Sequence, residues 1–354
     1  MSINHSASIE KLIKGVETFS RLREADIQVG VTPKEVIYQE DKLTLYRFRS
    51  SEHSLNIPIL IVYALVNRPY IVDLQADRSL VANLLKLGLD VYVIDWGYAT
   101  RADRWLTLDD YINGYLNNCI DAVCNHLDVD QINLLGICQG GTFSLCYSAL
   151  HPQKVKTLIT MVTPVDFSVQ EGLLNLWSGC TLGAKAFDID LIVDTLGNIP
   201  GEFLNFDFLA LKPFQLGVEK YANLTEIADR EDKLLNFLRM EKWIFDSPDQ
   251  AGEAYRQFIK DFYQGNKLIQ GTIELGGQQV DLQNIRMPVL NIYAEHDHLV
   301  PPQSSIALES YLGSEDYTVK SFPTGHIGMY VSSKVQRDLP PTIVNWLKTR
   351  VQSS

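Results

Sequence analysis

Between Ile132 and Gly141 the sequence reads Ile-Asn-Leu-Leu-Gly-Ile-Cys-Gln-Gly-Gly. An apolar run with the length of a buried strand leads into Gly-x-Cys-x-Gly, and a helical pattern follows at once through Leu150. Few folds can use such a segment. A residue on a very tight strand-to-helix turn takes a strained backbone, and the positions two before and two after it pass close to neighbouring chain. Glycine at 136 and 140 meets that demand, because no Cβ is there to collide. The turn puts Cys138 at a helix N-terminus, where the dipole favours a thiolate. It also aims the backbone N–H of Gln139 at the place where an oxyanion would form. A buried cysteine in a glycine-rich turn would explain the same motif in a chain with 22 glycines, so the flanking pattern has to decide.

The flanking pattern is layered. Residues 58–65, 91–95, 132–137 and 157–162 are short, continuous apolar runs rich in Ile, Val and Leu, as suits strands buried on both faces of a parallel sheet. Segments 79–87, 108–126 and 139–150 carry helical spacing between them, and strands alternating with helices indicate an α/β fold. Before them, 10–23 reads as a helix, and 35–40 with 43–49 as a β-hairpin around Asp41-Lys42. The alternation stops near Pro164. From Asp166 to about Gly265 the pattern is helical and rich in aromatics: Trp177, Phe187, Phe203, Phe206, Phe208, Phe214, Trp243 and Phe245. A two-strand signal follows, 272–275 and 279–282 around Gly276-Gly277, then buried-strand runs at 288–293 and 317–322 and a final helix at 341–351. With no repeat or low-complexity linker, the expected division is a core in two parts, 1–165 and 266–354, with 166–265 inserted as a helical cap.

The remaining chemistry-bearing residues fall in a telling order. The run 288–293 is followed by Ala-Glu-His-Asp-His, with the aspartate at 297, and the run 317–322 by Pro-Thr-Gly-His, with the histidine at 326. Nucleophile, then acid, then histidine, the last two on loops after late strands, is the chain order of the α/β-hydrolase fold. The expectation is therefore that fold, with a mostly parallel central sheet, an inserted cap, and Cys138, Asp297 and His326 as catalytic residues. Gly136 and Gly140 shape the elbow. Oxyanion or substrate contacts are expected from Gln139, from the Val66 backbone or the Asn67 side chain on the loop after 58–65, and from His298, lining the site or supporting Asp297. His296 and His298 form an H-x-H pair that could ligate zinc, but no further acidic or histidine partner motif accompanies them, so no metal is expected. Trp243 fits a core position.

Composition narrows the partners. A formal charge of −12 disfavours nonspecific nucleic-acid binding, and an anionic substrate would need a local basic patch. Residues 1–30 lack an apolar signal-peptide core, and the longest apolar run, 57–66, is about half of what a membrane-spanning helix needs, so no membrane association is expected. The five cysteines include no CxxC pair and suit a reducing compartment; four of them, Cys119, Cys124, Cys146 and Cys180, read as buried small hydrophobes. Cys146 lies about 12 Å along the elbow helix from Cys138, a poor place for a second nucleophile within one chain; whether elongation uses one thiol or two is open.

Cysteine at the elbow restricts the reaction. A thiolate forms a thioester, and exchange with an acyl-CoA thioester keeps the acyl group activated for another acceptor. The chemistry favours acyl transfer over ester hydrolysis. At Leu134–Thr142, Val-Ile-Asp-Trp-Gly at 93–97, Asn-Arg-Pro-Tyr-Ile-Val-Asp-Leu at 67–74 and Asp-His-Leu-Val-Pro at 297–301, the chain resembles the polyhydroxyalkanoate synthases, from about Pro58 to its C-terminus. Its short length and Ile-Cys-Gln elbow look most like the catalytic subunit of the class III, two-subunit synthases. That resemblance implies polymerisation of (R)-3-hydroxyacyl-CoA, typically 3-hydroxybutyryl-CoA, with Cys138 holding the chain as a thioester, His326 deprotonating it and Asp297 activating the substrate's 3-hydroxyl. CoA would be part of the substrate and a released product, with no separate cofactor. A non-catalytic second subunit, a homodimer and residence on cytoplasmic polyester granules are also implied. A cysteine-type hydrolase of the dienelactone-hydrolase kind is the competing enzyme reading, though those chains are much shorter and lack a cap. A non-catalytic granule scaffold is the other. Which residues bind CoA is open, with Arg68 one candidate.

Overall fold

The computed structural model describes residues 21–49, 55–169, 188–205, 224–227 and 229–351. Its centre is an eight-stranded sheet of β1 (Glu35–Glu40), β2 (Leu43–Phe48), β3 (Pro58–Val62), β4 (Asp90–Asp95), β5 (Ile132–Ile137), β6 (Val155–Met161), β7 (Val289–Ala294) and β8 (Tyr317–Phe322). The order across the sheet is β1-β2-β4-β3-β5-β6-β7-β8. β2 is antiparallel to both neighbours, and every other neighbouring pair from β4 to β8 is parallel. The chain turns from β1 into β2 at Asp41, with φ 50°. From β3 the next strand is laid on one side (β4) and the following one on the other (β5), so the order reverses between β3 and β5. Open α/β sheets place their sites in the crevice at the strand C-termini beside such a reversal.

The apolar runs are continuous because both faces of the central strands are covered. On β3, Leu60 and Val62 pack under α2 (Asn117–Leu127) and α3 (Gln139–Leu150), while Ile59 and Ile61 pack against α1 (Leu80–Lys86) and the C-terminal helix. β5 alternates in the same way, Leu134 to one face and Leu135 and Ile137 to the other. α1 begins where Ser79 Oγ accepts the Ala82 N–H at 2.8 Å, and α2 ends at Asp128 in the left-handed region, φ 55°. Residues 139–149 of α3 are all buried. Their glycines, serines and alanine suit a helix packed against neighbours on every side.

Three helical stretches differ from the sequence reading. Segment 108–126 is helical, but Asp110–Leu116 forms π-helical turns before α2. The same happens at Phe258–Gln264, directly after α6 (Gly252–Gln257), which follows α4 (Ile189–Leu196) and α5 (Glu231–Phe245). The last helix, α7, spans Ser333–Val351 and runs through Pro340 and Pro341 instead of starting there. Pro340 cannot donate to the Gln336 carbonyl one turn back. Asn83 on α1 takes that role, its Nδ2 donating to Gln336 O at 3.3 Å and to Gln336 Oε1 at 3.0 Å. A tertiary contact thus meets the need that made the prolines look like a helix start.

The paired strands at Glu274–Leu275 and Gln278–Gln279 are shorter than expected and turn at Gly276 (φ 56°) and Gly277 (φ 73°). Between 166 and 265, Trp243 joins the core cluster under α1 and α7, whereas Ala251, Ala254, Phe258 and Phe262 join the one under α2 and α3. Arg256 ties α6 to α4 through Asp190 at 2.6 Å and Asp194 at 2.5 Å. Phe203 is partly buried and Phe245 exposed. Trp177, Phe187, Phe206, Phe208, Phe214 and Cys180, and nearly all of the helix expected at 10–23, lie outside the described residues.

Candidate active site

Cys138 sits between β5 and α3 with φ 54° and ψ −126°, a conformation that costs a non-glycine residue about 1–3 kcal/mol. Its peptide is held on both sides. Its N–H donates to Met161 O at 2.9 Å, and its carbonyl accepts the N–H groups of Gly141 at 2.9 Å and Thr142 at 3.3 Å. The glycines are required by contact. A Cβ on Gly136 would lie 2.5 Å from Gly141 Cα and 2.6 Å from Ser144 Oγ. One on Gly140 would strike the carbonyls of Val62 and Tyr63 at the end of β3, and one on Gly141 the Thr163 side chain. The need for a third glycine was present in the sequence as the Gly140-Gly141 pair.

The loops after β7 and β8 meet over this elbow. Glu295 N–H donates to Phe322 O and His296 N–H to Thr324 O, both at 2.9 Å, which brings Asp297 beside His326. Asp297 is buried. Its Oδ1 accepts the N–H groups of Leu299 and Val300, each at 2.9 Å, and its Oδ2 lies 2.7 Å from His326 Nδ1. The Cys138 side chain also acts on the His326 ring, and with Nδ1 engaged by Asp297 the nitrogen left for the sulfur is Nε2. Burial by itself pushes the imidazole pKa down. The Asp297 carboxylate and the Cys138 sulfur outweigh burial and hold it well above the usual histidine range. The three residues expected to work together are therefore one connected set: sulfur, imidazole, carboxylate.

Around the sulfur stands a wall of tyrosines that the sequence reading missed. Tyr63 and Tyr263 are held un-ionised by burial and, secondly, by Cys138; Tyr330 is held so by burial, then by Tyr63, then by Cys138. Tyr330 meets Tyr63 edge-on at 6.3 Å and His326 at 6.1 Å between ring centroids. Tyr330 follows His326 closely and Tyr63 follows β3 directly, but nothing in their local pattern marks them as site residues.

Two other expectations change. Asn67, with φ 58°, turns its side chain away to α5, where Nδ2 donates to Trp243 O at 3.3 Å and Ile244 O at 3.2 Å. A carbonyl-rich helix C-terminus claims the amide. The Val66 N–H, by contrast, has no hydrogen-bond partner among the described residues, and neither do those of Gln139 and Gly140. His298 is exposed and does not support Asp297, whose oxygens are taken by main-chain N–H groups and by His326. Trp243 is buried in the core, donating from Nε1 to Arg68 O at 2.8 Å. Arg68 pairs with Asp95 at 2.6 Å and lies 4.1 Å from the Tyr98 ring centroid. Cys119 and Cys146 are buried, and burial pushes the Cys146 thiol up to about 12. Among the described residues, no three of His, Cys, Asp and Glu are grouped to hold a metal, His296 and His298 included.

This arrangement defines a class: an α/β-hydrolase fold with a cysteine at the nucleophile elbow. Residues 57–333 match the family model described as alpha/beta hydrolase fold, and residues 16–84 match the one described as Poly-beta-hydroxybutyrate polymerase (PhaC) N-terminus. A poly(3-hydroxyalkanoate) polymerase subunit PhaC of Synechocystis sp. is 66% identical over 96% of this chain and 91% of its own length. The protein of the same name from Allochromatium vinosum is 57% identical over 96% of this chain and 94% of its own. The chain belongs to this family of polymerase subunits. Among solved structures, a monoacylglycerol lipase of Paleococcus ferrophilus is similar in fold, with a TM-score of 0.57 at 15% identity, covering 88% of this chain and 100% of the lipase.

Proposed function

We propose that this chain polymerises (R)-3-hydroxyacyl-CoA, most directly 3-hydroxybutyryl-CoA, into polyester and releases CoA through a thioester on Cys138. The observation that carries this reading is the connected Cys138–His326–Asp297 set on a strained elbow, in a chain 66% identical to a named polymerase subunit. His326 takes the thiol proton, and the thiolate attacks the carbonyl of the acyl-CoA thioester. The N–H groups of Gln139 and Val66 receive the oxyanion. Collapse expels the CoA thiolate, which takes the proton back from His326. In the second half, the 3-hydroxyl of an incoming hydroxyacyl-CoA attacks the Cys138 thioester and gives its proton to His326. The product is an ester one unit longer that ends again in CoA, and the freed sulfur can be reloaded. Both Asp297 oxygens are already engaged, which supports its acting on that hydroxyl through His326 rather than directly.

CoA enters as substrate and leaves as product, so no separate cofactor is needed. The family also supports a non-catalytic second subunit, a homodimer and residence on cytoplasmic polyester granules. No helix among the described residues is long and apolar enough to cross a membrane. The test is Cys138→Ala, assayed with 3-hydroxybutyryl-CoA: CoA release falls to background, and normal turnover would refute the proposal. Product analysis of the unmodified chain separates the alternatives. Insoluble polyester supports synthesis, soluble 3-hydroxy acid supports a cysteine hydrolase, and no thiol acylation supports a scaffold.

A further inference from the structure

β3 ends at Val62, and the chain leaves the sheet through Tyr63, Ala64, Leu65, Val66 and Asn67 without regular structure. The segment is fixed at its start by Trp96 Nε1, which donates to Tyr63 O at 2.9 Å, and at its end by the Asn67 amide on α5. Between these anchors, one hydrogen bond holds it among the described residues: Leu65 N–H donates to Gln139 Oε1 at 3.0 Å. Gln139 is the residue after the nucleophile, the first of α3, and its side chain is buried against the loop.

We infer that the Gln139 side chain is a positioning residue that sets the second oxyanion donor, holding the Val66 N–H in register with the Cys138 sulfur. This rests on acyl transfer at Cys138 as proposed above. The Val66 N–H belongs to the peptide next to the one Gln139 holds, so it moves with Leu65. The same residue offers the first donor from its own main chain. One side chain thus ties the two donors to a common frame, supported by the close seat of Gly140 on the carbonyls of Val62 and Tyr63. An amide suits the task because it accepts a hydrogen bond without placing negative charge beside a developing oxyanion. Misplacing such a donor by an ångström costs on the order of 10²-fold in rate.

The experiment uses the full chain carrying Gln139→Met, close in shape but without the acceptor, and Gln139→Asn, which keeps the amide but not the reach. Three rates are measured: CoA release from 3-hydroxybutyryl-CoA, nitrophenolate release from p-nitrophenyl acetate, and alkylation of Cys138 by iodoacetamide. Alkylation displaces iodide at carbon and forms no oxyanion, so it reads the thiol and His326 alone. The expected result is acylation slowed by about 10–100-fold in kcat with little change in KM, and alkylation within about twofold of the unmodified chain. Unchanged acylation overturns the inference. A parallel fall in acylation and alkylation also overturns it, since that is what a merely structural role produces. An unmodified chain that is acylated by the nitrophenyl ester but releases no CoA counts against the polymerase reading and leaves the Gln139 comparison intact.

Discussion

His326 is buried, and an imidazole in that position would ordinarily shed its proton. It keeps it because the Asp297 carboxylate lies 2.7 Å away and the Cys138 sulfur adds to its pull. A pKa raised on folding means that the native state binds the proton more tightly than the unfolded chain, whose histidine titrates near 6.5. The contribution to stability is complete below about pH 6.5 and is lost as the pH rises through the raised value. Melting temperatures of the unmodified chain and of His326→Gln, followed from pH 6 to 9, should converge toward the alkaline end. Parallel curves would show that the imidazolium is not favoured in the folded state.

At the scale of elements, the elbow depends on how closely α3 approaches the end of β3. Gly140→Ala would push a methyl group into the carbonyls of Val62 and Tyr63, buried main chain at and just past the end of β3 that cannot move aside as a flexible side chain would. A loss of about 1–3 kcal/mol is expected from such overpacking, measured by urea unfolding, with a fall in Cys138 acylation because the same shift displaces the oxyanion loop. A variant as stable and active as the unmodified chain would mean that the approach is looser than described. Much of this was legible in sequence: the strand runs at 132–137 and 317–322 coincide with β5 and β8, and the Gly-x-Cys-x-Gly spacing placed the turn. What was not legible depends on contacts between distant segments. Nothing near Pro340 announces that Asn83 will take up the carbonyl it abandons, and nothing near Asn67 announces that α5 will claim its amide. The π-helical turns at Asp110–Leu116 and Phe258–Gln264 keep an ordinary helical apolar pattern, so periodicity alone reads them as α-helix.

For the whole molecule, the sheet's reversal of order between β3 and β5 explains why the site lies where it does. It brings β5, which leads to Cys138, beside β3, which leads to Val66, while β7 and β8 deliver Asp297 and His326 from the far end of the sequence. Chain order alone singled out Cys138, Asp297 and His326 as candidates, and the fold places Asp297 against His326. The tyrosines beside Cys138 and the capture of the Asn67 amide by α5 became visible only after folding. Burial raises the thiols of Cys119, Cys124 and Cys146, whereas Cys138 is only half-buried. The most direct measurement is therefore a rapid acid quench of the unmodified chain with 3-hydroxybutyryl-CoA, followed by peptide mass spectrometry. A hydroxylamine-labile 3-hydroxybutyryl adduct on the Cys138 peptide is expected to appear together with the first released CoA. CoA release with Cys138 unmodified, or an adduct on another cysteine, would contradict it.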